Sequence, residues 1–133
     1  LDPSYIIGGE IGATGVSGRA GKGEVFVAEA DESDGTFTHY EPDLAVVTNV
    51  ELDHPDYFES VDAVYEAFKA FVDRIKPGGT LVYSTCSVDR EENEDLVAAL
   101  QQNHRNLKLV ESEATLPWKD EVDGAFAAKL SKR

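Results

Sequence analysis

The sequence has a single cysteine, Cys86, and no methionine. One thiol excludes an internal disulfide and fits a reducing compartment. With no methionine and Leu1 at the start, the sequence reads as a fragment or an engineered chain. Basic residues are scarce: 12 Lys and Arg stand against 26 Asp and Glu, a formal net charge of −14. Such a field repels phosphate backbones at long range, which argues against nucleic acid as a partner. The acid excess lies mostly before Gly79. No apolar window is long enough to span a bilayer and no secretory segment is visible, so no membrane partner is expected. At 133 residues the chain is sized for a single domain with its own core.

What the sequence does contain is an alternation of apolar runs and helical periods. "SYIIG" reads as a short strand, and the glycine-rich "GGEIGATGVSGRAGKGE" reads as loop. "EVFVAEA" and "LAVVTNV" are nearly continuous in hydrophobicity, the pattern of strands covered on both faces of a parallel sheet. Between 60 and 76 the period changes: Val61, Val64, Tyr65, Phe68, Phe71, Val72 and Ile75 mark one face of a helix. Ser60 is its expected N-cap, and "KPGG" stops it. "TLVYSTC" is a further strand. Asp89, with Glu92 three residues on, then predicts a capping box for a second helix at about 90–103. "LKLVESE" and "AFAAKLS" read as the last strands, with the loop "TLPWKDEVDG" between them. The alternation predicts an α/β fold with right-handed crossovers.

Each candidate site has a plainer competing explanation. A phosphate loop of the form G-x-x-x-x-G-K-[ST] fails twice around Gly21-Lys22, because Val16 and Gly23 occupy the required glycine and hydroxyl positions. The stretch also leads into a strand, so no helix N-terminus faces a phosphate. Glu29 and Asn49 end two predicted strands, and His54 follows closely. On parallel neighbours all three would reach the carboxyl edge where α/β ligands bind, with donors suited to a divalent cation. Acidic loops of this kind are more often simply solvated.

Two stretches here, "EADESDGTF" and "TNVELDHPDYF", resemble the central ATP-binding domain of the Mur ligases, the UDP-N-acetylmuramate–alanine ligases in particular. The resemblance covers residues 1–75. It implies that Glu29 and His54 sit at magnesium-ligand positions and Asn49 at a nucleotide-site position. It also implies acyl-phosphate chemistry driven by ATP. The G-T-x-G-K-T-type loop which that chemistry uses is not present, so no cofactor is expected beyond weakly held magnesium. Asp31 and Glu32 are the neighbouring carboxylates that would join Glu29 and His54 in holding it.

Cys86 ends the strand "TLVYSTC", an address where α/β enzymes place nucleophiles, although an isolated cysteine is more often a small buried residue. "KPGGTLVYSTCSVDREENEDLVAAL" and the tail "DGAFAAKL" resemble the RNA 5-methylcytosine methyltransferases over residues 76–133. That resemblance puts Cys86 on the position that attacks the cytosine ring. It implies S-adenosylmethionine as methyl donor, yet the family's donor-binding glycine loop and Pro-Pro-Cys loop have no counterpart. It also implies an antiparallel final strand inserted beside strand 80–86.

Two partial α/β sheets therefore meet around "FVDRIKPGG". The sequence leads to an engineered chimera, 1–75 joined to 76–133 in one domain, with no evolved activity. Its expected form is a three-layer sandwich around a mostly parallel Rossmann-like sheet. Strands at about 24–30, 44–50, 80–86 and 107–113 should form the centre, with "SYIIG" near an edge. Imperfect packing at the splice leaves room for a homodimer or a domain swap. Two alternatives stay open: residual binding of a divalent cation or nucleotide at the acidic edge, and an RNA cytosine-5 methyltransferase fragment using Cys86.

Overall fold

The glycine-rich stretch is not a loop. In the computed structural model, which describes residues 1–48, 50 and 54–133 (Val61 by its backbone only), it pairs into a hairpin. Strand β1 (Ser4–Ile11) runs antiparallel to β2 (Val16–Arg19) through a turn at Gly15, whose φ of +65° suits glycine. The backbone ladder holds this hairpin despite its weak strand composition. Strand β3 (Phe26–Ala28) adds parallel to β1, giving the order β2-β1-β3. These strands belong to the first of two compact units, Leu1–Thr36. "SYIIG" is thus a central strand, not an edge strand. The run at 24–30 joins this small sheet and not the main one. Hydrophobicity marks a strand but does not name its partner, and here Val25, Phe26 and Val27 stay exposed.

The second unit, Phe37–Arg133, carries the larger sheet in the order β4-β5-β7-β6. Strand β4 (Leu44–Val47) leads through helix α1 (Val61–Arg74) to β5 (Thr80–Thr85), which pairs with it in parallel register, Leu44 opposite Thr80 and Val47 opposite Tyr83. Ser60 caps α1 as expected, its hydroxyl accepting from the Ala63 amide at 3.2 Å. The helix ends at the Lys76-Pro77-Gly78-Gly79 turn. A Cβ on Gly79 would lie 2.9 Å from the Asp43 carbonyl, so the strand entry requires a residue without one. After β5 come helix α2 (Glu94–Asn103), β6 (Leu107–Thr115), the single turn α3 (Pro117–Asp120) and β7 (Ala125–Lys132). Strand β7 inserts antiparallel between β5 and β6, as the tail motif implied.

The α/β class, the Rossmann-like sheet and the antiparallel final strand thus stand. Strands β4, β5 and β6 run in one direction, but β6 reaches the others only across β7. The layering is simpler than a sandwich with helices on both faces. Both crossovers step the same way along the sheet, so right-handedness sends α1 and α2 to the same side. Ala45, Val47, Leu81, Tyr83, Phe126, Ala128 and Leu130 point toward them and are buried, whereas Leu44 and Val46 alternate outward and are exposed. Phe37 anchors the helix side, its ring 5.1 Å from Phe68 and 5.5 Å from Phe71. Between the helices and the sheet a cavity of about 540 Å³ remains, lined by Phe68 and Val72 of α1, Leu96 and Leu100 of α2, and Leu81 and Tyr83 of β5.

Helix α2 begins later than expected. Residues 90–93 are turns, and the N-cap is Asn93, not Asp89. The Asp89 amide donates to the Ser87 hydroxyl, and the Asp89 carbonyl accepts from the Glu92 amide, so the expected capping box does not form.

Candidate functional site

Parallel strands present their carboxyl ends to ligands in open α/β sheets. Cys86 is the first residue beyond β5 at that edge, and its thiol is exposed. The residues on either side of it are held tightly. The Thr85 hydroxyl donates to Asn93 Oδ1 at 2.6 Å, and Asn93 Nδ2 donates to the Ser87 carbonyl at 3.0 Å. The Ser87 amide donates back to Thr85 Oγ1 at 3.3 Å. Asn93 is buried, only 4% exposed, so water does not compete for these bonds. One residue earlier, the Glu92 carbonyl accepts from the Tyr83 hydroxyl at 2.8 Å, tying the turn to the core of β5. Burial raises the Tyr83 pKa above its ordinary value of 10.0, assisted by the negative charge of Glu92 and by Tyr65. Arg90 pairs with Asp95 at 3.1 Å on the exposed side of the same turn, and that carboxylate secures its charge.

Sequence reasoning placed Cys86 correctly at the strand end but missed Asn93 and Tyr83. A signal was present. Asn93 lies four residues before Val97 on the inward face of α2, and a polar side chain on an apolar stripe needs a specific partner.

Glu29 and His54, expected at magnesium-ligand positions, belong to different units. Glu29 follows β3 in the first unit, where its carboxylate accepts from the Gly8 amide at 2.5 Å. His54 belongs to the second unit. It adopts a left-handed conformation, φ 53°, and its carbonyl accepts from the amides of Tyr57 and Phe58 in a turn. Asn49 lies outside the described residues. The glycine-rich hairpin is engaged within its own unit: the Lys22 amide donates to the Asp2 carboxylate and the Gly23 amide to the Asp2 carbonyl. A Cβ on Gly21 would fall 2.2 Å from that carbonyl, so this glycine serves a close backbone approach.

A sheet with an inserted antiparallel last strand and a cysteine at the carboxyl edge defines the class, a Rossmann-like methyltransferase-type fold. The family model for the 16S rRNA methyltransferase RsmB/F matches residues 49–131, more than half of the chain and inclusive of Cys86 and Asn93, and the chain belongs to that family. Two solved structures share the fold: a methyltransferase homologue from Pyrococcus horikoshii (TM-score 0.58, 19% identity, 82% of this chain and 45% of that one) and NSun6 from the same organism (TM-score 0.53, 19% identity, 82% and 35%). The chain is also similar to curated UDP-N-acetylmuramate–L-alanine ligases. The Mycobacterium avium ligase is 56% identical over 81 residues, 61% of this chain and 16% of the ligase. The Streptomyces coelicolor ligase is 47% identical over 113 residues, 85% and 24%. The chain thus spans a quarter or less of these ligases. Both similarities are present in one polypeptide, and they overlap, since a 113-residue match cannot fit within residues 1–75. The chain joins Mur-ligase-like and methyltransferase-like sequence.

These matches correct the expectation of a chain outside enzymology. The family that covers most of its length is an enzyme family, and its ligase relatives are enzymes too. That expectation rested on the missing ATP-binding, donor-binding and Pro-Pro-Cys loops, and their absence does not remove the chain from the family.

Proposed function

We propose that the chain carries the nucleophilic half of pyrimidine 5-substitution, with the Cys86 thiol adding to C6 of cytosine in RNA. The observation that supports this reading is an exposed thiol on a braced turn at the carboxyl end of β5, inside the segment matched by the rRNA methyltransferase family. In the step itself the thiolate forms a bond to C6, the C5–C6 π electrons move to C5, and C5 takes a proton from water. Reversal removes either C5 hydrogen and releases the thiolate. The reading carries no step through S-adenosylmethionine, because the family's donor-binding glycine loop has no counterpart in the sequence.

This reading departs from the expectation that so acidic a chain takes no nucleic acid. Repulsion acts over the Debye length, about 8 Å at physiological ionic strength, so a short oligonucleotide at that salt can reach an edge thiol. The test is deuterium exchange at C5 of cytosine in a short RNA incubated with the chain in D2O, followed by mass spectrometry. Exchange above the protein-free rate, lost in Cys86→Ser, is the expected result. Equal exchange with the parent and Cys86→Ser chains would remove the reading.

A further inference from the structure

We infer that Asn93 is a positioning residue for Cys86, fixing the backbone on both sides of the thiol. The inference rests on the reading of Cys86 as the reacting group. Its basis is what Asn93 does with its side chain. An asparagine at a helix N-cap ordinarily turns its oxygen onto the second or third amide of the helix, which stabilises the helix by about 1 kcal/mol. Asn93 is the N-cap of α2 and makes no such bond. Both ends of its amide are directed instead at the residues that flank Cys86.

The donor and acceptor roles in this arrangement are determined. The Ser87 carbonyl can only accept, so the Asn93 NH2 must face it. Oδ1 then faces Thr85, whose hydroxyl must donate to it, and the hydroxyl's lone pairs are left for the Ser87 amide. A closed ring of three bonds results, with Cys86 as the residue it spans and the Cys86 side chain left outside, toward solvent. Asparagine suits this position because it brings one acceptor and one donor on a short stem. Aspartate lacks the donor, and serine would return to capping the helix. Burial of Asn93 makes each bond hard for water to replace. The Tyr83–Glu92 bond holds the preceding residue, so the ring is attached to β5 at two places. Reaction at Cys86 requires its sulfur within bonding reach of one ring carbon, and an error of 1 Å in such a placement costs on the order of a hundredfold in rate.

The experiment follows alkylation of Cys86 by iodoacetamide across a pH series in the full chain, with circular dichroism melts alongside. The variants are Asn93→Ser, which can cap α2 but cannot close the ring, and Thr85→Val, which removes the partner hydroxyl and leaves Asn93 in place. A purely structural role predicts altered melting with an unaltered pH profile. Positioning predicts that Asn93→Ser melts cooperatively while the alkylation rate changes by about tenfold and its pH profile moves. Thr85→Val should move the profile in the same direction. Superimposable profiles in the folded variants and the parent overturn the inference. Should C5 exchange be absent from the parent while the alkylation profiles still move, the cytosine reading falls and the positioning role stands.

Discussion

Tyr83 joins the core to the turn that carries Cys86. Its ring lies on the inward face of β5 and its hydroxyl reaches the Glu92 carbonyl. Tyr83→Phe keeps the packing and deletes the bond, leaving a carbonyl that must find water in a confined place. The expected loss is about 1 kcal/mol, read from urea unfolding at neutral pH. The alkaline limb gives a second readout. Because burial raises the folded pKa above 10.0, the unfolded chain releases this proton first. The contribution of Tyr83 is therefore fully present below that ordinary value and is lost as pH rises through the raised folded value. Stability of the parent should decline across this window more steeply than that of Tyr83→Phe. Parallel curves would show that the hydroxyl is not linked to folding. At this scale the sequence was partly legible: Cys86 could be placed from its strand, whereas the partners of Asn93 depend on where α2 begins, and no local pattern encodes that.

Among the elements, α1 and β7 show how a helix end is tied to the sheet. The last turn of a helix leaves carbonyls without amide partners and carries the negative end of the helix dipole. Lys132, near the end of β7, extends its ammonium to the carbonyls of Val72 and Asp73 at 3.5 and 2.6 Å. It is 9% exposed, so its aliphatic stem is packed and the charge is directed at the helix end. Lys132→Met retains much of the stem and removes the donor, and the expected cost is about 1.5–3 kcal/mol by chemical denaturation. Lys129→Met, which breaks only the exposed pair with Glu111, should change stability by no more than about 0.5 kcal/mol. Equal effects of the two substitutions would mean that the helix-end contact contributes nothing particular. Neither contact is readable from periodicity. The 3.6-residue period gave α1 nearly to its ends, and the apolar runs gave β4, β5 and β7, because each of those patterns records a face turned to a core. The hairpin β1–β2 was misread because glycine lowers strand preference without forbidding a ladder. The start of α2 was misread because Asp89 and Asn93 are both good caps, and only the tertiary bonds of Asn93 select between them.

At the scale of the whole molecule, every buried apolar side chain among the described residues lies at or beyond Phe37. The larger unit has a core on the helix side of its sheet; in the smaller one, β2 and β3 are exposed along their length and β1 is at most half-buried. A three-stranded sheet gains independent stability from a buried hydrophobic face, and hydrogen bonds alone contribute little net free energy against water. Local opening in residues 1–36 should therefore require much less free energy than opening of β5 or β7, which interrupts the packing of Leu81, Tyr83, Phe126, Ala128 and Leu130. Native-state hydrogen exchange resolves the two. Amides in β5 and β7 should exchange only through global unfolding and shift with denaturant by the full slope. Ladder amides of β1, β2 and β3 should show protection lower by about a hundredfold or more, with little dependence on denaturant. Matched protection in the two sheets would refute the argument, because it would mean that burial of apolar side chains does not set local stability in this chain. The same contrast bears on chemistry: the turn at Cys86 is anchored to the more protected sheet, where a reacting group can be held in one geometry.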